Sequence, residues 1–125
     1  MRSRGACLGS QCRPVLERRY VTWIAIADID TFAAEVVNVL RIPTSYAAWI
    51  KVPGSQLYTD NQVSFLKNIA TYAINSYSMH IIIDLHYLPG GVNGMPFGEA
   101  EGHYGWSNNA TALTYSLQAV DAVTC

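Results

Sequence analysis

The run Ile81-Ile82-Ile83-Asp84-Leu85-His86 constrains this chain more than any other segment. Its apolar stretch ends in an acid and a histidine, then breaks into Tyr87-Leu88-Pro89-Gly90-Gly91-Val92-Asn93-Gly94. Such a run reads as a strand covered on both faces, as in a parallel sheet. Polar groups at the carboxyl end of a parallel strand sit where α/β folds build active sites. Val39-Leu40-Arg41-Ile42-Pro43 repeats the pattern earlier: a short apolar strand holding one arginine and closed by proline.

Helical spacing surrounds both runs. Apolar residues recur with that period from Ala25 to Asn38, with Asp28 and Asp30 near the start, where a helix dipole favours acids. Pro43 to Tyr58 reads as a long loop. Thr59 or Asp60 is placed to cap a second helix running to about Ser76, its stripe formed by Val63, Leu66, Ile69, Ala70 and Ala73. His80–Leu85 is the second strand, and a loop spans His86 to Trp106. Ser107-Asn108-Asn109 is placed to cap a third helix from Ala110 to about Ala122. Helix, strand, helix, strand, helix is βα alternation, which predicts parallel strands joined by a crossover. Residues 1–15 show no such period and read as a disordered or unrelated tail, so the folded part is 16–125.

Composition narrows the function class. Half of the 125 residues are hydrophobic, 14% are charged and the formal net charge is -1. No nucleic-acid or membrane partner is implied by such a balance. The charge is uneven, with Arg2, Arg4, Arg13, Arg18 and Arg19 facing only Glu17 in the first nineteen residues. This basic start lacks the apolar run of a signal peptide and leaves localisation open. Cys7, Cys12 and Cys125 fit no zinc or haem spacing, so neither metal nor cofactor is expected.

Arg41-Ile42-Pro43 with downstream Tyr46, Trp49 and Ile50 resembles the second strand and loop of the fungal exo-β-1,3-glucanase group of glycoside hydrolase family 5. Asp84-Leu85-His86-x-x-Pro89-Gly90-x-x-Asn93-Gly94 resembles that group's third strand and loop. The resemblance covers about Leu16 to Val123, with Trp23 and Asp28 fitting the helix before the second strand. It implies an α/β fold: an incomplete (β/α)8 TIM barrel, comprising the region of strands 2 and 3 with flanking helices. A whole barrel needs roughly 250 residues. It also implies a polysaccharide or oligosaccharide partner, a β-glucan. Family members are usually secreted or associated with the cell wall.

Arg41 shares a strand face with Val39 and Pro43, opposite Leu40 and Ile42. A guanidinium within an apolar strand needs a carboxylate partner. Two readings follow: a cation holding a catalytic carboxylate ionised and oriented, which the resemblance favours, or an ion pair in a barrel floor. His86 shares a face with Asp84 and Ile82. The resemblance makes it a hydrogen-bond donor to a sugar hydroxyl or a catalytic carboxylate; the other reading is a satisfied core histidine. Asp84 either pairs with Arg41 across neighbouring strands or bonds loop amides. Tyr46, Trp49, Tyr87 and Trp106 lie on or beside the loops after the strands. Each serves as a surface for sugar C–H groups or as loop packing. Asn93 matches the family's loop asparagine, and Gly94 allows the turn after it. Where the family often has an aromatic clamp, this chain has Met95, with Phe97 two residues on as its substitute.

Glycoside hydrolysis needs two carboxylates. Glu99 and Glu101 lie in the glycine-flanked Gly98–Gly102 segment and read as solvated loop charges. In the family, both catalytic glutamates follow later strands, so no catalytic residue is expected within this chain. Three readings of function stand. The first is a fragment of a retaining β-glucan hydrolase whose two glutamates lie outside the chain. The second is a non-catalytic glucan-binding or interaction protein derived from that barrel. The third is an unrelated small α/β domain.

Overall fold

The computed structural model describes residues 12–55, 57, 61–95 and 101–124. In chain order the elements are α1 (Cys12–Trp23), α2 (Ile26–Ala34), β1 (Val39–Ser45), α3 (Tyr46–Trp49), α4 (Gln62–Tyr77), β2 (His80–Tyr87) and α5 (Ala110–Thr124). The expected alternation is present, with two additions. Helix α1 begins at Cys12, inside the segment read as an unstructured tail; residues 1–11 lie outside the described part. A single turn, α3, interrupts the loop expected from Pro43 to Tyr58.

The two strands pair in parallel, as the alternation predicts, with Val39 opposite His80 and Thr44 opposite Leu85. Helix α4 makes the crossover between them. β1 continues through Pro43 to Ser45 rather than ending at Ile42. Proline is tolerated in a strand with an open edge, and β1 has one in this two-stranded sheet. The register slips between Thr44 and Ser45, because Ser45 stands opposite Tyr87. His86 is therefore the extra, unpaired residue of a β-bulge.

Period two divides the sheet into two faces. Leu40 and Ile81 pack against a core of Ile29, Ala73 and Met79, together with Phe32 and Ile69. Leu85 joins a second core with Tyr46, Ala47 and Ala119. Among the described residues no helix covers the other face, and Val39, Arg41, Pro43, Ile82 and His86 are exposed along it. The expected stripe on α4 holds: Val63, Leu66, Ile69 and Ala70 are half-buried and Ala73 is fully buried.

Caps set the ends of the helices. The N–H of Ala25 donates to the Asp28 carboxylate at 2.7 Å, which is the half of a capping box that an alanine permits. Helix α2 stops at Ala34, four residues before the expected Asn38. There Val36 turns left-handed (φ 62°) while the N–H groups of Val36 and Val37 return to the carbonyls of Ala33 and Phe32. That is a Schellman stop built on a β-branched residue in place of the usual glycine. Asn109 caps α5 as expected, its Oδ1 accepting from the N–H of Ala112 at 3.1 Å. Of the caps proposed for α4, Thr59 and Asp60 lie outside the described residues.

Candidate active-site face

Arg41, Asp84 and His86 converge on the uncovered face of the sheet. Arg41 is paired in register with Ile82. Its long side chain reaches one pleat further along β2, where the guanidinium Nη2 forms an ion pair with Asp84 Oδ2. The same carboxylate oxygen lies 2.9 Å from Nδ1 of His86, and Arg41 Nη2 lies 3.3 Å from that nitrogen. Of the two partners open to Asp84 in sequence, the structure selects the arginine and adds the histidine. Arg41 and His86 are about half exposed, at 57% and 47%, while Asp84 beneath them is at 22%. Two cation-capable groups thus face outward over an acid that orients them.

Thr44, on the opposite face, ties the neighbouring loop to the strands. Its hydroxyl donates to the carbonyl of Asp84 at 3.1 Å and accepts from Trp49 Nε1–H at 3.0 Å. Trp49 is thereby held beside the end of β1. Sequence reasoning passed over Thr44. The signal was a hydroxyl at a helix-facing strand position, where a buried O–H needs partners. Tyr46 is only 1% exposed and belongs to the core with Leu85 and Ala119, so among the described residues it offers no open ring face.

The loop after β2 is bound to the chain that returns from residue 101. Gly105 and Trp106 donate their N–H groups to the carbonyls of Gly90 and Gly91, and Gly94 N–H donates to the His103 carbonyl. Gly91 holds a left-handed φ of 78°, and a Cβ there would lie 2.5 Å from the His103 carbonyl oxygen. No side chain fits so close an approach. Asn93 is exposed, and its Oδ1 accepts from Met95 N–H at 3.1 Å, making the turn at Gly94. It does not join the Arg41 cluster. Trp106 is anchored instead to α5 through Nε1–H to Ser116 Oγ at 3.0 Å. Phe97 and Glu99 lie outside the described residues, and Glu101 is exposed. No group of three or more potential metal ligands occurs among the described residues.

No protein-family model matches the chain. Its fold, however, superposes on the crystal structure of rutinosidase from Aspergillus niger with a TM-score of 0.90. The two are 61% identical, over 93% of this chain and 32% of that one. Glucan 1,3-beta-glucosidase 1 of Schizosaccharomyces pombe is 36% identical over 108 residues, 86% of this chain and 26% of that protein. Probable glucan 1,3-beta-glucosidase A of Neosartorya fischeri is 32% identical over 118 residues, 94% of this chain and 27% of that protein. The chain thus spans about a quarter of the length of the curated relatives it matches. By sequence and by fold, this chain is similar to segments of the fungal glucan 1,3-beta-glucosidases and of a rutinosidase of glycoside hydrolase family 5.

Proposed function

We propose that the chain is the strand 2 to strand 3 region of a (β/α)8 barrel in a retaining glycoside hydrolase acting on a β-glucan, with both catalytic glutamates outside this sequence. The observation that carries this reading is the Arg41–Asp84–His86 cluster on the uncovered sheet face, at the end where the strands run into the long loops. A second feature supports the barrel. A cleft of about 390 Å³ is lined by the consecutive residues Leu40 to Thr44 of β1, with Tyr20 and Phe65 beside them. A cleft along β1 of this kind is where a neighbouring barrel strand would pair.

In that setting the cluster performs electrostatic work. Retaining hydrolysis places two carboxyl groups about 5–5.5 Å apart, one of them ionised as nucleophile. Arg41, already charged and half exposed, favours the ionised form of a carboxylate brought over this face. In this reading His86, with Trp49 and Asn93 from the loops after the strands, serves the sugar, while Tyr46 supports the floor from the core.

The nature of the glycoside has a second reading with its own observation. Identity to the rutinosidase, at 61%, is well above the 36% shared with the fission-yeast glucan 1,3-beta-glucosidase. A rutinoside is therefore the competing substrate. Reading the coding DNA on both sides of the segment, then expressing the extended protein, tests both. Hydrolysis of a β-1,3-glucan supports the first substrate and hydrolysis of rutin the second. An uninterrupted stop with no further strand-borne glutamates in frame, or an extended protein inert on both, defeats the hydrolase reading.

A further inference from the structure

We propose that Asp84 is a positioning residue that locks His86 in the tautomer carrying its proton on Nδ1, leaving Nε2 as a hydrogen-bond acceptor. The 2.9 Å approach of Nδ1 to Asp84 Oδ2 needs a hydrogen between them, since two bare lone pairs would otherwise oppose each other. Asp84 cannot be the partner that brings it. Its same oxygen accepts from the Arg41 guanidinium, a cation with no lone pair to offer. Arg41 Nη2 sits 3.3 Å from Nδ1, longer than its contact with the carboxylate, as two donors sharing one acceptor would. The proton therefore belongs to His86 Nδ1.

What remains is set by the ring. A neutral imidazole has one donor and one acceptor nitrogen, and the hydrogen bond at one determines the other. Nε2 of the half-exposed His86 has no hydrogen-bond partner among the described residues. The bulge at His86 breaks the ladder at this residue, and such breaks re-aim side chains. Under this assignment His86 donates inward to Asp84 and accepts outward, in place of the outward donor that the resemblance implied. An outward acceptor suits an O–H group, which a sugar presents; that use rests on the glycosidase reading, whereas the tautomer rests on the geometry alone.

Long-range proton–nitrogen correlation on the ¹⁵N-labelled full chain decides the assignment, in solution or by magic-angle spinning. The ring of His86 is identified by its loss in His86→Gln. At about pH 8, above the ordinary histidine range, His86 should show a protonated-type Nδ1 and an unprotonated-type Nε2. Asp84→Ala should move the proton to Nε2 and leave the signals of His80 and His103 in place. Asp84→Asn, which keeps an acceptor oxygen, should retain it on Nδ1. An Nε2-protonated or doubly protonated His86 in the unsubstituted chain overturns the proposal, whether or not either variant folds. An extended enzyme that proves inactive while the tautomer is as expected defeats the proposed function and leaves this assignment standing.

Discussion

Arg41 is a residue whose contribution to stability and whose role in the proposed site can be separated. Its pair with Asp84 is partly solvated, and exposed pairs of this kind contribute roughly 0–1 kcal/mol. Arg41→Met keeps an unbranched apolar stem and removes the guanidinium with its charge and its hydrogen-bond donors. We expect it to shift the unfolding free energy by less than about 1 kcal/mol. In the extended protein, under the proposed hydrolase function, it should lower kcat at least about tenfold, the equivalent of 1.36 kcal/mol in the barrier. A comparison of denaturant midpoints with steady-state kinetics separates the two effects. Equal losses in both would mean that the arginine is structural. Sequence alone showed that Arg41, Asp84 and His86 share a face, because alternation requires it. It could not show that Asp84 is shared by both neighbours, since that depends on the bulge and on a diagonal reach across the strands.

At the scale of elements, α2 is joined to α4 by one carboxylate. Asp30 accepts from the hydroxyls of Tyr72 and Tyr77 at 2.7 and 2.8 Å. These two bonds hold the Asp30 carboxyl below its ordinary 3.8. The same carboxylate raises both phenols above 10.0, Tyr77 to about 12. The raised phenols stabilise the joint fully below pH 10.0, and that contribution is lost as pH climbs through the folded value near 12. The lowered acid contributes above 3.8 and is lost as pH falls through its folded value. Between those limits the joint should be insensitive to pH. Tyrosinate absorbance during an alkaline titration should show two late-titrating tyrosines, returning to the ordinary range in Asp30→Asn. Ordinary titration of every tyrosine in the unsubstituted chain would rule out the joint. In sequence Asp30 looked like a helix-start acid; nothing local indicated that two tyrosines more than forty positions away would meet it.

At the scale of the molecule, the core is thin and the uncovered surface apolar. Ile29 and Tyr46 are the largest side chains fully buried among the described residues, and alanines make up most of the rest. Leu113, Leu117 and Val120 line one side of α5 at exposures of 50, 57 and 45%, while Val39 and Ile82 lie open on the sheet at 45 and 51%. A helix stripe and a sheet face of this kind ordinarily meet a further layer. Apolar area left in water forgoes about 25 cal/mol per Å², and open strand edges invite pairing with other chains. The isolated chain should therefore self-associate. Sizing chromatography over a dilution series should show a mass that rises with concentration. A monomer at every concentration, with a sharp cooperative melt, would count against the barrel-segment reading and for a self-standing binding module.

The residues themselves determined the alternation of helices and strands, the parallel pairing, the two faces of each strand and the asparagine that starts α5. Each follows from local chemistry: a period of two or 3.6, a cap, an apolar run. Only the tertiary structure decided where α1 begins, where α2 stops, which loop glycines touch the returning chain and how the register slips at His86. Those features arise from contacts between distant segments. The slip matters most, because one extra residue in β2 is set by how two strands meet, and no single strand carries that information.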